Sequence, residues 1–233
     1  MLIQCDASGL EWRILVLLSG DKTAIEEINS GADIHSLNQA ALELPSRLIA
    51  KKFLFRTIYK GSGYAFAMDN EFKHVSKDPD FWDAKNEGFF SKYWEIDQCH
   101  QRWKSKVMNG SPIVGPSGRE WLISRKPDGS PPWTTLTNYP VQGTGADIMA
   151  IARVSLRNRL RSGKSKSLLI NTVHDSIIVD APKEEITMVA GKMHESFEAL
   201  VPNMHKLWGI ESPIPFPCEI KIGKNLGAMT KYE

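Results

Sequence analysis

Apolar segments of strand length lie at the two ends of the chain, and carboxylates break into both. Residues 1–6, MLIQCD, read as a short buried strand that ends in Asp6. Residues 167–182, SLLINTVHDSIIVDAP, read as two strands interrupted by His174 and Asp175, both too polar for the apolar run around them. EIKIGKN (219–225) then closes the chain as a strand and a turn. Most of the sequence between these ends has helical character. Asp6 and Asp175 thus stand at strand ends, far apart in sequence but able to be adjacent in one sheet.

The intervening helices are expected as follows. SGLEWRILVLLSGD follows the first strand with Leu10, Ile14, Leu17 and Leu18 inward. Residues 33–69 read as two or three helical pieces, with Pro45 in a first turn. From Glu71 to about Lys106, aromatic and charged residues alternate without a clean period, and helices are expected there. The Gly- and Pro-rich residues 110–133 suggest a hairpin and a surface loop. Residues 142–161 return to a long helix with Ile148, Ile151, Val154 and Leu160 on one side, and a last helix covers about 183–200.

At 233 residues the chain can hold one large domain or two subdomains. A net charge of +2 excludes a simple polybasic binder, so any contact with nucleic acid must come from local placement of charge. No apolar run approaches a membrane span, and the start lacks the regions of a signal peptide, so a cytoplasmic protein without a membrane partner is expected. Cys5, Cys99 and Cys218 suit neither a disulfide framework nor a zinc site.

Within SRLIAKKFLFRTIYKG (46–61), Arg47, Lys51, Phe55 and Tyr59 recur at intervals of four. Each such step advances a helix by about 6 Å and turns it by only about 40°, so the four side chains form one stripe roughly 18 Å long. Its first half suits phosphate oxygens and its second half the flat face of a base. The ordinary alternative is an amphipathic helix with Leu48, Phe55, Ile58 and Tyr59 as its apolar face. Asp6 and Asp175 likewise suit a pair of Mg²⁺ ions, because hard cations take oxygen ligands and phosphates complete the shell. Taken singly, each is equally a surface Asp opening a turn.

The order of these pieces resembles motifs A, B and C of the family A DNA polymerases: DASGLE (6–11), the Arg/Lys/Phe/Tyr helix, then VHD (173–175) between strands. DIHSLNQAALELP (33–45) and NYPVQGTGADIM (138–149) extend the likeness, which comes nearest to the replicative polymerases of short-tailed phages. The resemblance implies an α+β fold: a right-hand polymerase palm with an antiparallel sheet and flanking helices, plus helical fingers, with the thumb and exonuclease domain absent. The palm would comprise residues 1–30 and 138–233, and the fingers with a connecting hairpin 31–137. The implied activity is template-directed transfer of a nucleotide from dNTP to a primer 3'-hydroxyl by two Mg²⁺ ions.

Residue by residue, the resemblance implies that Asp6, Asp175 and the Ala7 carbonyl hold the metals. Arg47, Lys51 and His35 would contact the incoming phosphates, with Lys51 also placed to protonate pyrophosphate. Phe55 would pack on the incoming sugar and base, and Tyr59 would sit at the floor of the nascent pair. Glu11 would exclude a ribonucleotide 2'-hydroxyl, although Ser8-x-x-Glu11 before an apolar helix is also a capping box. Asn138, Gln142 and His174 would contact primer-template DNA; the first two could equally be a helix cap and a polar first turn.

The sequence departs from the family in several places. A thumb and an exonuclease domain are expected upstream of the first motif. Here that strand begins at Met1, which implies an N-terminal thumb- or exonuclease-bearing polypeptide as partner, in a split or truncated polymerase. Ser176 stands where the family usually has Glu, and Thr134 where it often has Arg. Lys60 stands where it usually has Gly, and Arg56 replaces a small residue; both add positive charge beside the expected template path. Two rivals follow: a catalytically degenerate core that binds nucleic acid or a partner chain, and a single-subunit RNA polymerase, against which Glu11 argues.

Overall fold

The computed structural model describes residues 1–232. In chain order the elements are β1 (Leu2–Ala7), α1 (Leu10–Ser19), α2 (Lys22–Asn29), α3 (Ile34–Ala41), α4 (Arg47–Thr57), α5 (Gly63–Met68), α6 (Pro79–Lys92) and α7 (Trp94–Met108). A short hairpin, β2 (Ile113–Val114) and β3 (Glu120–Trp121), precedes α8 (Trp133–Ser162). The chain ends with β4 (Leu168–Val173), β5 (Ser176–Asp180), α9 (Ile186–Glu198), α10 (Leu200–Trp208), β6 (Cys218–Gly223) and β7 (Met229–Lys231). These elements pack as two compact units. The first comprises Met1–Ile14, Pro116–Gly118 and the residues from Gln142 onward; the second comprises Leu15–Gly115 and Arg119–Val141.

The first unit is built on an antiparallel sheet of order β4-β5-β1-β6-β7, so the two ends of the chain do meet. β1 lies at its centre, and period-two alternation buries Ile3, Cys5 and Ala7 while Gln4 and Asp6 take the more open face. Register sets Asp6 opposite Ser176 on one side and Glu219 on the other. Helix α9 packs on β1 and β6 with Val189 and Met193 buried.

The second unit is helical, and aromatic rings fill its core. Phe53 of α4, Phe66 of α5, Phe72, and Trp82 and Phe89 of α6 are all buried. Phe66 lies 4.9 Å from Phe72 and 5.3 Å from Trp82 between ring centroids, within the favourable range for such pairs. Residues 71–106, without a clean period in sequence, contain α6 and α7. Trp82, Phe89, Ile96, Trp103 and Val107 point inward from them at helical spacing.

Several local expectations are corrected. In α1, Trp12, Leu15 and Val16 are buried with Leu10 and Ile14, while Leu17 and Leu18 are only half-buried. Pro45 precedes α4 instead of entering its first turn; Ser46 is the N-cap, its hydroxyl accepting from the Ile49 amide at 3.2 Å. Helix α8 starts at Trp133, nine residues before the expected 142, and contains Pro140. Val154 on that helix is 53% exposed. The three cysteines are unbridged, and no described helix is long and apolar enough to cross a membrane.

His100 of α7 is fully buried, and neither ring nitrogen has a hydrogen-bond partner. Burial, reinforced by the Lys60 charge, pushes its pKa down to about 3. The unfolded chain binds that proton below about pH 6.5 and the folded chain does not, so stability that is fully present above pH 6.5 is lost progressively as the pH falls towards about 3. The expected slope from this one proton approaches about 1.4 kcal/mol per pH unit. Denaturation midpoints between pH 7 and pH 4 should fall less steeply in His100→Phe than in the parent.

Candidate nucleotidyl-transfer site

In the first unit, Asp6 lies on β1 and Asp175 in the tight turn between β4 and β5. The turn closes through His174, whose φ of 51° is left-handed, and it is fastened to β1 by the Ala7 amide donating to the Asp175 carbonyl at 2.9 Å. The two carboxylates thereby come together. Burial raises the pKa of Asp6, and the charge of Asp175 and a hydrogen bond with it push the same way; Lys221, with Nζ 3.9 Å from Asp6 Oδ2, opposes the rise. Two acids whose geometry makes them repel are held at a site that a cation would relieve.

The residues present fit Mg²⁺ in this respect. Among the described residues no three His, Cys, Asp or Glu side chains are grouped to hold a metal by themselves. Mg²⁺ does not require such a cage; it is commonly held by one or two carboxylates with substrate phosphates and water supplying the rest. Asp6, Asp175 and the Ala7 carbonyl are the groups that could serve as donors in such an arrangement. Ser176 is buried, and its hydroxyl donates to the Val173 carbonyl at 3.0 Å, so it braces the turn.

Glu219 and Lys221, which the sequence reading did not select, share the open face with Asp6 and Gln4. Their signal was present in the alternation of EIKIG, but their placement depends on the register of two strands more than two hundred residues apart. Glu11, in the first turn of α1, accepts from Gln142 Nε2 of α8. The capping box is not formed in its usual way: the Ser8 amide donates to the Pro217 carbonyl at 2.9 Å and the Glu11 carboxylate takes Gln142. Neither Asn138 nor Gln142 is a cap or a first-turn residue, since both lie inside α8, four residues apart. His174 is exposed.

In the second unit, α4 buries Ile49, Ala50, Phe53, Leu54 and Thr57. The apolar face of the ordinary amphipathic reading is therefore not the packed one: Leu48 is 59% exposed and Phe55 and Tyr59 are half-exposed, although Ile58 is buried. Arg47, Lys51 and Phe55 form a stripe on the accessible side. Tyr59 continues it from just beyond the helix, which ends at Thr57. A groove of about 660 Å³ runs beside Lys51, Phe55, Tyr59, Phe72 and Thr134.

Arg47 is held at the head of the stripe by Asp33, the N-cap of α3, with Nε 2.5 Å and Nη2 3.0 Å from the two carboxylate oxygens. Ser36 Oγ donates to the same carboxylate at 2.6 Å, and these bonds hold the Asp33 carboxyl below the usual carboxylate range. His35 is half-buried with its ring centroid 6.2 Å from that of Phe55. Burial, then the charges of Arg47 and Lys51, push its pKa down against the pull of Asp33. His35, Arg47, Lys51 and Phe55 thus form one cluster. The extra cations do not lie free beside it: Arg56 pairs with Asp69 at 2.7 Å and Lys60 with Asp97 at 2.5 Å.

A model of the family described as "DNA polymerase family A" matches residues 1–228. Similar proteins include a DNA polymerase of Bacillus phage SP01, 26% identical over 97% of this chain and 26% of its own length. DNA polymerase I of Lactococcus lactis subsp. cremoris is 29% identical over 89% of the chain. The thermostable DNA polymerase I of Thermus aquaticus is 26% identical over 96%. The chain spans about a quarter of the length of these curated relatives. Among solved structures, the POL domain of Pol1 from M. smegmatis, in complex with DNA primer-template and dNTP, superposes with a TM-score of 0.80 at 18% identity. That match covers 96% of this chain and 39% of the other, and it establishes the shared α+β fold.

Proposed function

The chain belongs to DNA polymerase family A, and from that premise we propose that it carries the palm and fingers of a template-directed DNA polymerase, adding nucleotides from dNTP to a primer 3'-hydroxyl. The observation that carries this reading is the seating of the β4–β5 turn against the central strand, where the Ala7 amide donates to the Asp175 carbonyl at 2.9 Å and register sets Asp6 opposite Ser176, which brings Asp6 and Asp175 together. These two carboxylates and the Ala7 carbonyl would hold two Mg²⁺ ions. Ions held by these residues would supply a lowered pKa at the primer hydroxyl and positive charge opposite the triphosphate and the departing pyrophosphate.

The remaining roles fall to the chain's own side chains. Arg47, Lys51 and His35 bind the phosphates, and Lys51 donates a proton to the departing pyrophosphate. Asp33 fixes the fork of Arg47 in advance, which reduces the ordering needed on binding. Phe55 packs on the incoming sugar and base, and Tyr59 supports the nascent pair. Glu11, steadied by Gln142, excludes a 2'-hydroxyl. Asn138, Gln142 and His174 contact the primer-template. The labels palm (1–30 and 138–233) and fingers (31–137) describe this division of labour. A thumb-bearing polypeptide would be the partner that grips the duplex.

Addition of deoxy- and ribonucleotides to a hairpin primer-template tests the reading. Deoxynucleotide addition with ribonucleotides rejected supports it. Preferential addition of ribonucleotides would favour an RNA polymerase, and addition of neither, even with a thumb-bearing polypeptide supplied, would favour the degenerate core that the substituted Ser176 suggests. At position 55, a phenylalanine has no hydroxyl to compensate for a missing 3'-hydroxyl. Phe55→Tyr is therefore expected to raise the dideoxy-to-deoxy incorporation ratio at least about tenfold, the scale of one well-placed hydrogen bond. An unchanged ratio would remove Phe55 from the sugar contact.

A further inference from the structure

Helix α4 closes in a turn that glycine would ordinarily occupy. The Gly61 amide donates to the Arg56 carbonyl at 3.0 Å and the Lys60 amide to that of Thr57 at 2.9 Å, with Lys60 at a φ of 60°. This is the Schellman pattern, whose left-handed residue is usually glycine because a Cβ is disfavoured there. A non-glycine residue persists in such a conformation when its surroundings over-determine it. The surroundings of Lys60 do so.

Its side chain is only 18% exposed. Nζ lies 2.5 Å from Asp97 Oδ1 of α7 and 3.5 Å from the ring centroid of Phe90 on α6. On either side of Lys60 the same turn is tied to α6 by Asn86, which accepts from Thr57 Oγ1 at 2.8 Å and donates to the Gly61 carbonyl at 3.0 Å. Tyr59, immediately before Lys60, borders the groove beside the stripe.

We propose that Lys60 is a positioning residue: anchored on Asp97 and Phe90, it locks the turn that carries Tyr59 and so holds the nucleotide groove in its binding-competent form before a nucleotide arrives. The substitution that looked like an added template-binding cation is an internal strut. The functional half of this statement rests on the polymerase reading above; the structural half does not.

Lys60→Gly removes the strut and supplies the residue the turn prefers, so it separates anchoring from backbone strain. Amide exchange of Tyr59 through Gly61 is expected to rise in this variant to nearly that of an unprotected segment, as for a turn that is open most of the time. With only about a tenth of the molecules competent, KM for the incoming dNTP rises about tenfold while kcat stays within about twofold. Asp97→Asn leaves the backbone at residue 60 untouched and should shift both readouts the same way by less; it is read in place of Lys60→Gly if that variant does not fold. Exchange at the parent's rate overturns the strut, and raised exchange with an unchanged KM overturns the positioning role. If the parent chain adds no nucleotide, the function proposed above is at fault, and the exchange rates alone decide whether Lys60 locks the turn.

Discussion

Replacing Asp175 by alanine is expected to lower the rate of nucleotide addition at least about a thousandfold, equivalent to about 4 kcal/mol of transition-state stabilisation. The same change should not weaken the fold. Asp175 is one of the groups that raise the pKa of Asp6, and an acid whose pKa is raised on folding opposes the folded state at pH values where the unfolded chain has already lost that proton. Removing Asp175 relieves this penalty, so stability at neutral pH should hold or rise. Added Mg²⁺ should raise the thermal midpoint of the parent and leave that of Asp175→Ala unmoved, because only the parent offers both carboxylates. Loss of activity together with a comparable loss of stability would instead make Asp175 a structural residue of the β4–β5 turn.

Trp82→Ala is expected to have the largest effect on stability, about 3–5 kcal/mol, since it deletes a fully buried ring at the centre of an aromatic cluster. Trp82 lies 5.3 Å from both Phe66 and Phe72 and 6.0 Å from Phe53, and its indole Nε1 donates to the Ser76 carbonyl at 3.0 Å. The cavity would open beneath α4, because Phe53 is one of the residues through which that helix packs. Such a loss is a large fraction of the roughly 5–15 kcal/mol that holds a domain together. Denaturant titration should show the second unit unfolding early, and the aromatic replacement Trp82→Phe should recover much of the difference. A change below about 1 kcal/mol would mean that the cluster repacks without Trp82, against the usual cost of emptying a dense core.

How far these features could be read in advance depended on the range of the interactions behind them. Strand β1 and the turn at His174 and Asp175 were legible because alternation and a polar break are local signals. The register that puts Glu219 opposite Asp6 was not, since it is fixed only when the two ends of the chain pair. The stripe was legible as a spacing, but its exposure was not. Which side of α4 is buried depends on Phe66, Phe72 and Trp82, which wait beneath Phe53 from later in the sequence. For the same reason Phe53 and Leu54, not Leu48, form the packed face.

At Glu11 a local pattern lost to a tertiary one. The capping box required nothing beyond four residues, yet the carboxylate is taken by Gln142, 131 positions away. At Lys60 the sequence displayed a charge and concealed its partner, because Asp97 arrives from α7. Both cases concern residues beside the proposed chemistry, where side chains serve distant partners in preference to their own helix.

Single-turnover addition to a labelled hairpin primer-template, with one dNTP supplied at a time, tests the two-carboxylate site most directly when the parent is run beside Asp175→Ala. The expected result is Mg²⁺-dependent addition of the complementary nucleotide alone by the parent, and none by the variant. Addition that ignores the template, or that survives the loss of Asp175, would contradict it.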